Sequence, residues 1–281
     1  MEHLLEVKNL VTQYRTAGGK VPAVRDISFT VDKGETLCIV GESGSGKSAT
    51  SLSIMGLLPS NGEVSGSILL NGKEIVGKSE EQLQKIRGND ISMIFQEPMT
   101  ALNPVFTIGF QLREPLMIHR KLSKKEATKK AIELLGKVGI PNPSEKMRNY
   151  PHELSGGMRQ RVMIAMALAC EPLLLMADEP TTALDVTIQA QILDLIDDLK
   201  AQMDMGVVFV THDMGVVAEI ADKVMVMYHG EVVETGDVYK IFNNPQHDYT
   251  RSLLAAVPNV DDDSKKWLQE GISYDSTATT S

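Results

Sequence analysis

Phosphate binding is the chemistry that this chain encodes most clearly. A glycine-rich octet fits the pattern G-x-x-x-x-G-K-S, and its residues are Gly41, Glu42, Ser43, Gly44, Ser45, Gly46, Lys47 and Ser48. The octet follows an apolar run and precedes a helical pattern, so backbone amides and a helix N-terminus would face a bound anion. Lys47 would then reach the β- and γ-phosphates of a nucleotide, and the Ser48 hydroxyl would ligate Mg²⁺. We include the adjoining Ala49 in this predicted nucleotide site.

An apolar segment that ends in two acids supplies a second part of the same chemistry. Leu173 to Ala177 is followed directly by Asp178 and Glu179. At the carboxyl end of a buried strand, Asp178 would join the Mg²⁺ shell and Glu179 would polarise an attacking water as general base. The alternative, an acidic helix cap ahead of Pro180, does not account for the octet.

A second anion-binding pattern lies far along the chain from the octet. In the pentad Leu154–Met158, the cap residue Ser155 is followed by Gly156 and Gly157 at the start of a predicted helix. By itself the pentad is better explained as an ordinary capped helix. Because one nucleotide site seldom needs two cradles from one chain, the coexistence of octet and pentad suggests that a partner supplies half of each site.

The elements around these motifs predict an α/β fold. Short apolar strands alternate with helices in the second half of the chain, which indicates a mostly parallel sheet with helices on its faces. The strands are predicted at Leu4–Leu10, Ala23–Val31, Leu37–Val40, Ser67–Gly72, Ile91–Phe95, Leu173–Ala177, Val207–Val210 and Lys223–Met227. Helices are predicted over about 47–57, 123–138 and 188–203. From Phe106 to Cys170 the pattern is helical, so we expect an inserted helical subdomain at about 97–170.

Composition and charge exclude several classes of protein. The 281 residues are 42% hydrophobic, which supports a packed core, and the net charge of −9 argues against general nucleic-acid binding. Cys38 and Cys170 lie in apolar runs and are predicted to be buried free thiols, which suits a reducing cytosol. The longest apolar run, Val162 to Cys170, falls short of the roughly 20 residues that span a bilayer. The N-terminus lacks a signal-peptide pattern, so we expect any membrane role to come through a partner.

The octet, the acidic strand end and the pentad, in this order, resemble the ATP-binding cassette (ABC) family of ATPases from Leu5 to about Pro258. The resemblance implies a P-loop NTPase fold of the ABC nucleotide-binding type. Such a fold has a mostly parallel core sheet, an N-terminal antiparallel β subdomain and an inserted α-helical subdomain. It also implies that ATP and Mg²⁺ bind between the octet of one subunit and the pentad of another. We expect the ATPase domain over 1–258 and a polar, flexible tail over 259–281.

The resemblance implies roles for four further positions. Gln96 matches the Q-loop glutamine, which would touch Mg²⁺ or the attacking water, and His212 matches the switch histidine, which would contact the γ-phosphate. Asp185 matches the D-loop aspartate that meets the opposing subunit, and Tyr14 lies where the family has an aromatic ring that stacks on adenine. The expected catalytic residues are then Glu179, His212, Gln96 and Lys47, and the expected metal ligands are Ser48, Gln96 and Asp178.

Finer details resemble the peptide-importer branch of the family, the D-type ATPases of oligopeptide and dipeptide permeases. They are Met158 at the end of the pentad and the runs 96–104, 178–187 and 244–254, although Asp248 departs from the proline usual in the last run. The resemblance implies a peripheral ATPase at the cytoplasmic face of the cell membrane. Its implied partners are an F-type ATPase subunit, two integral permease subunits and an extracytoplasmic substrate-binding protein, with no nucleic acid. Many relatives continue into a cysteine-rich tail; this sequence does not, so we expect no iron–sulfur cluster.

Three alternatives stay open. The same ATPase role would serve nickel, glutathione or antimicrobial-peptide carriers, because the ATPase does not touch the cargo. A soluble ABC ATPase acting on nucleic acid or ribosomes is a different class, although the segment between Gln96 and Leu154 is too short for the long coiled coil of chromosome-maintenance ATPases. A non-hydrolysing regulatory cassette is disfavoured because Glu179 and His212 are both present.

Overall fold

A computed structural model of the chain describes residues 3–95, 101–181 and 186–256. The predicted tail at 259–281 lies outside these residues. The described strands are β1 (Leu5–Thr16), β2 (Gly19–Val31), β3 (Thr36–Val40), β4 (Gly62–Leu70), β5 (Lys73–Glu74), β6 (Ile91–Ile94), β7 (Leu174–Asp178), β8 (Gly206–Thr211), β9 (Lys223–Tyr228) and β10 (Glu231–Asp237). They form two sheets: an antiparallel one of order β2-β1-β4-β5 and a larger one of order β10-β9-β3-β8-β7-β6.

The helices follow the strands in an α/β arrangement. They are α1 (Lys47–Met55), α2 (Glu80–Ile86), α3 (Ile108–His119), α4 (Lys124–Lys137), α5 (Pro143–Lys146), α6 (Gly156–Ala167), α7 (Val186–Met203), α8 (Met214–Ile220), α9 (Val238–Asn243) and α10 (Asp248–Ala255), with a 3-10 turn at Pro151–Glu153. Helices α3 to α6 lie between β6 and β7 in the chain, and apolar residues of α3, α4 and α6 join one hydrophobic core with the larger sheet.

The larger sheet is parallel except for its edge pair β9–β10. Successive residues of β3 alternate between the two cores of the molecule: Leu37 and Ile39 belong to the core shared with the antiparallel sheet, whereas Cys38 and Val40 belong to the core shared with the helices. Both faces of the strand are therefore buried, which explains why it appears in the sequence as a continuous apolar run.

The register brings the motif-bearing strand ends to one edge of this sheet. Val40, the last residue of β3, pairs with Thr211 of β8, and Asp178 of β7 pairs with Val210. The carboxyl ends of three adjacent parallel strands therefore meet, which is where open α/β sheets bind their ligands. The predicted fold class is confirmed: a mostly parallel core sheet, an antiparallel β subdomain and helices inserted between strands.

Several element boundaries differ from those that the sequence predicts. The helix expected to reach residue 57 ends at Met55, because Gly56 adopts a left-handed conformation with φ 62° and its amide bonds back to Leu52 and Ser53. Ser123, the first residue of the helix predicted over 123–138, is the cap of α4, since its side chain accepts from the Glu126 amide. Strand β10 and helix α10 were not anticipated.

Both cysteines are buried and free, as predicted. Burial raises the pKa of each thiol, so Cys38 and Cys170 stay protonated and packed in the core. Within the ranges described above, we find no helix with the length and apolar character needed to cross a bilayer.

Candidate nucleotide-binding site

The octet forms the loop between β3 and α1 together with the first two residues of α1, and backbone from elsewhere packs closely against it. Gly41 has φ 150° and Gly46 has φ 106°, backbone conformations that residues other than glycine rarely adopt. A Cβ on Gly41 would lie 2.2 Å from the carbonyl oxygen of Met227, and one on Gly46 would lie 2.5 Å from that of Ala23. Both glycines are therefore required by neighbouring backbone as well as by the turn itself.

Lys47 is the buried cation of this loop, only 6% exposed. Its ammonium donates to the carbonyl oxygens of Gly41 at 2.6 Å and Glu42 at 2.9 Å. Burial lowers the pKa of Lys47, and the nearby carboxylates of Glu179 and Asp178 oppose that shift. The side chain thus folds over the loop with its charge held beside the octet. Its contact with phosphate stays a prediction.

Asp178 and Ser48 bring oxygen donors together where the metal site is predicted. Asp178 ends β7, and the Ser48 hydroxyl donates to its Oδ1 at 3.5 Å. Burial raises the pKa of Asp178, and the charge of Glu179 adds to the rise, whereas Ser48 and Lys47 counteract it. A hydroxyl and a partly buried carboxylate beside a second carboxylate fit Mg²⁺, because this hard cation takes oxygen ligands and would offset the crowded negative charge.

Glu179 and His212 contact each other directly, which sequence reasoning did not anticipate. Glu179 Oε1 lies 3.0 Å from His212 Nδ1, and the ring nitrogen must donate because an ionised carboxylate only accepts. The Glu179 backbone is held at φ 47°, a left-handed conformation, while its amide donates to Val210. Such strain in a non-glycine residue costs about 1–3 kcal/mol and often marks a functional position.

The phosphate loop, Glu179 and His212 share one cleft of ≈ 710 Å³. It is lined by the octet's glycines and Lys47, by Glu179 and His212, and by Ala23 of β2. Leu253 and Ala256, from α10 and the residue after it, also line the cleft. Sequence reasoning did not single out these two, because nothing in a short amphipathic segment tells which distant loop it will cover. A volume of this size is ordinary for a nucleotide-sized ligand.

The remaining predicted positions are less completely described. Tyr14 lies in β1, paired with Val21 of β2 and Gly62 of β4, and is not among the described residues that line the cleft. Its role against adenine stays a prediction. Gln96 and Asp185 lie outside the described residues, so their roles also stay predictions.

The pentad is not among the described residues that line this cleft, and it forms the capped start of α6. Leu154 is buried, whereas Ser155 and Gly156 are exposed. The Ser155 side chain accepts from the Met158 amide at 3.3 Å, leaving the first helical amides without intrahelical partners. Among the described residues, the pentad contributes nothing to the cleft of the octet. The exposed cap is therefore suited to a ligand that is not held by this chain's own loop.

Two family models match the chain. Residues 24–182 match the one described as "ABC transporter", and residues 233–278 match the one described as "Oligopeptide/dipeptide transporter, C-terminal region". The second match spans α9 and α10, the two helices that follow the last strand of the larger sheet.

Curated relatives and a solved structure agree with these matches. The oligopeptide transport ATP-binding protein OppD of Bacillus subtilis (strain 168) is 55% identical over 94% of this chain and 75% of the relative. The dipeptide transport ATP-binding protein DppD of the same organism is 56% identical over 93% of this chain and 78% of the relative. A dimeric ATP-binding cassette, in a post-hydrolysis state bound to ADP and Pi, is similar with a TM-score of 0.74 at 29% identity, covering 83% of this chain and 98% of that one.

The close packing around Gly46 predicts that this glycine cannot be replaced. Gly46→Ala should weaken ATP binding by about tenfold or more, because the added Cβ would force apart the loop and the Ala23 carbonyl. Gly77→Ala is the matched control, since Gly77 also has a positive φ, of 79°, but a Cβ added there would meet no atom within 4 Å. Fluorescent-nucleotide titration measures both. Equal ATP affinity in the two variants would contradict the assignment.

Proposed function

Because the chain belongs to the ABC transporter family, we propose that it is the ATP-hydrolysing subunit of an importer for oligopeptides or dipeptides. The ATPase role is supported above all by the convergence of the octet, Asp178 and the Glu179–His212 pair at one sheet edge. The peptide cargo is supported by the match of its C-terminal region and by relatives named as oligopeptide and dipeptide transport proteins. The chain would act as a peripheral subunit at the cytoplasmic face of the membrane.

In this proposal Glu179 is the general base of hydrolysis. Its carboxylate accepts a proton from a water molecule, whose oxygen attacks the γ-phosphorus while the bond to the ADP oxygen breaks. The hydrogen bond from His212 Nδ1 orients that carboxylate within the cleft. When bound, Mg²⁺ would neutralise negative charge on the phosphates. Ser48 and Asp178 would hold the ion, and the resemblance to the family adds Gln96 as a third ligand.

Lys47 binds rather than reacts. Its ammonium already contacts two carbonyl oxygens of the octet, and the phosphates of ATP would add anionic partners beside them. The carbonyl contacts direct the ammonium over the loop, so little side-chain entropy is lost when the nucleotide arrives. The same arrangement excludes water from the buried side of the phosphates, since Lys47 is almost completely covered.

A second ATPase subunit would complete the site. Ser155, Gly156 and Gly157 would cap the nucleotide held by a partner, and the partner's pentad would cap the ATP on Gly41–Ser48. The exposure of Ser155 and Gly156 supports this arrangement, as does the dimeric state of a structurally similar cassette. We propose an F-type chain as the partner, with Asp185 at the interface, so that the working unit is a heterodimer.

Two integral permease subunits would receive the motion of this dimer. An apolar groove of ≈ 410 Å³ runs between the sheet edge and the inserted helices, with Phe95, Ile118, Met163 and Met166 among its lining residues. Phe95 is 42% exposed and Ile118 54%, an unusual exposure for large apolar side chains. Phe95 lies immediately before Gln96, and this position of the groove suits the docking of a cytoplasmic helix of a permease subunit. An extracytoplasmic substrate-binding protein would deliver peptide to the same assembly.

Replacing the general base tests the proposed reaction. Glu179→Gln should lower steady-state phosphate release by the assembled transporter at least about a hundredfold, because the amide cannot accept the proton from water. ATP binding should persist, since Lys47 and the loop are untouched. Glu171→Gln is the matched control, because Glu171 is exposed and lies ahead of β7, at the end opposite Glu179. Near-normal turnover at this octet's site in Glu179→Gln would refute the assignment.

A charge placed in the apolar groove tests the permease contact. Ile118→Glu should abolish recovery of the integral subunits with this chain from native membranes, because a carboxylate would be buried against an apolar helix. ATP binding by the isolated chain should not change. Lys129→Glu adds the same residue on the solvent-exposed face of α4, where the native side chain is 83% exposed, and should co-purify normally. Undiminished co-purification of Ile118→Glu would contradict the proposed docking.

A further inference from the structure

Helix α10 reaches the phosphate loop from the far end of the chain. The hydroxyl of Tyr249 accepts a hydrogen bond from the backbone amide of Glu42 at 2.8 Å. Glu42 is the second residue of the octet, and none of the phosphate-binding chemistry described above uses the Tyr249 side chain. The contact joins the C-terminal region to the loop that would hold ATP.

The peptide group that Tyr249 contacts is the one that Lys47 contacts from its other side. A trans peptide is planar, with its C=O and N–H pointing in opposite directions. In the peptide between Gly41 and Glu42, the N–H donates to Tyr249 and the C=O accepts from the Lys47 ammonium at 2.6 Å. Tyr249 and Lys47 therefore bind opposite edges of the same peptide plane. A rotation of this peptide would move the Lys47 ammonium.

Tyr249 is itself held firmly in place. The carboxylate of Glu234 in β10 accepts from the amides of Gln246 at 2.7 Å and His247 at 3.0 Å, just before α10. The Tyr249 ring packs on Tyr228 of β9, with ring centroids 4.3 Å apart. Since β9 pairs with β3, the aromatic contact ties α10 to the strand that leads into the octet.

The same helix forms part of the cleft wall. Leu253 follows Tyr249 by one helical turn and so lies on the same face, and it lines the cleft together with Ala256. Leu253 also packs against the core that the larger sheet shares with the helices. A displacement of α10 would therefore alter both the shape of the cleft and the peptide that supports Lys47.

We propose, on the basis of the ATP-hydrolysing role proposed above, that Tyr249 is a positioning residue for nucleotide binding. Its hydroxyl orients the Gly41–Glu42 peptide, which in turn places the Lys47 ammonium for the phosphates, while Leu253 shapes the adjoining wall. Coupling of this kind is reciprocal, so bound ATP also stabilises α10 in its position against the loop. Helix α10 is thus part of the ATP site rather than an appendage to it.

Removal of a single hydroxyl tests this assignment. In the purified full chain, Tyr249→Phe should weaken ATP binding about three- to tenfold, the loss expected for one neutral hydrogen bond. In the assembled transporter the KM for ATP should rise by a similar factor while kcat stays within about twofold, because Glu179 and His212 are unaltered. Tyr228→Phe is the matched control: its ring stacks in the same cluster, and within the described part of the chain its hydroxyl makes no hydrogen bond. It should bind ATP like the wild type.

Thermal unfolding separates positioning from a merely structural role. If Tyr249 only stabilised the fold, Tyr249→Phe would lower the Tm without nucleotide and leave the ATP-induced rise in Tm unchanged, which would overturn the proposal. We expect the ATP-induced rise itself to shrink. Leu253→Ala should shrink it as well, whereas Ser252→Ala, on the exposed side of the helix, should not. Equal ATP affinity in Tyr249→Phe and Tyr228→Phe would also overturn the proposed positioning role of Tyr249. Wild-type chain that binds no ATP would instead refute the proposed function and the positioning role together.

Discussion

The phosphate loop depends on backbone from two other parts of the chain, β2 and the β9–β10 hairpin, which packs against its glycines without leaving room for a side chain. The Met227 carbonyl lies against Gly41, the Ala23 carbonyl lies against Gly46, and the Gly230 amide donates to the Ser45 carbonyl at 2.9 Å. Glycine at these positions allows the loop to turn its own amides inward while the surrounding strands approach from outside. The parallel sheet, the β1–β2 hairpin and the β9–β10 hairpin can be understood as the frame that holds this loop in a conformation which it would not keep alone.

The charges around the loop favour an anionic ligand and, beside it, a cation. Lys47 is nearly buried with its ammonium on carbonyl oxygens, and Asp178 and Glu179 bring two carboxylates to the next strand end. Burial disfavours the charged form of both Lys47 and Asp178. The phosphates of a bound nucleotide would compensate the buried charge of Lys47, and Mg²⁺ would compensate that of Asp178. His212 meets Glu179 within this cluster, which gives the proposed general base a fixed orientation before any substrate arrives.

The sequence predicted the parts of the site whose functional residues lie next to one another in the chain. The octet, the acids that end β7 and the capped helix at Ser155 each consist of residues adjacent in sequence, so their spacing alone defines their geometry. The contact between Tyr249 and Glu42 joins residues 207 apart, and no local pattern indicates which loop an amphipathic helix will cover. The Glu179–His212 bond was missed for a related reason: the sequence shows that both follow strands but not that β7 and β8 are neighbours. At a finer scale, Gly56 ended α1 earlier than the apolar pattern implied.

We propose that the octet and the pentad of this chain belong to two different ATP sites. Ser155→Arg tests it most directly, with ATP affinity of the isolated chain and turnover of the assembled transporter measured on the same preparation. The bulky cation would obstruct the exposed cap of α6 without reaching the cleft of the octet, whose described lining excludes the pentad. We predict an ATP affinity within about twofold of wild type in the isolated chain, and a loss of turnover of about tenfold or more in the complex. If ATP affinity of the isolated chain fell in parallel with turnover, the two cradles would belong to one site, and the account would be contradicted.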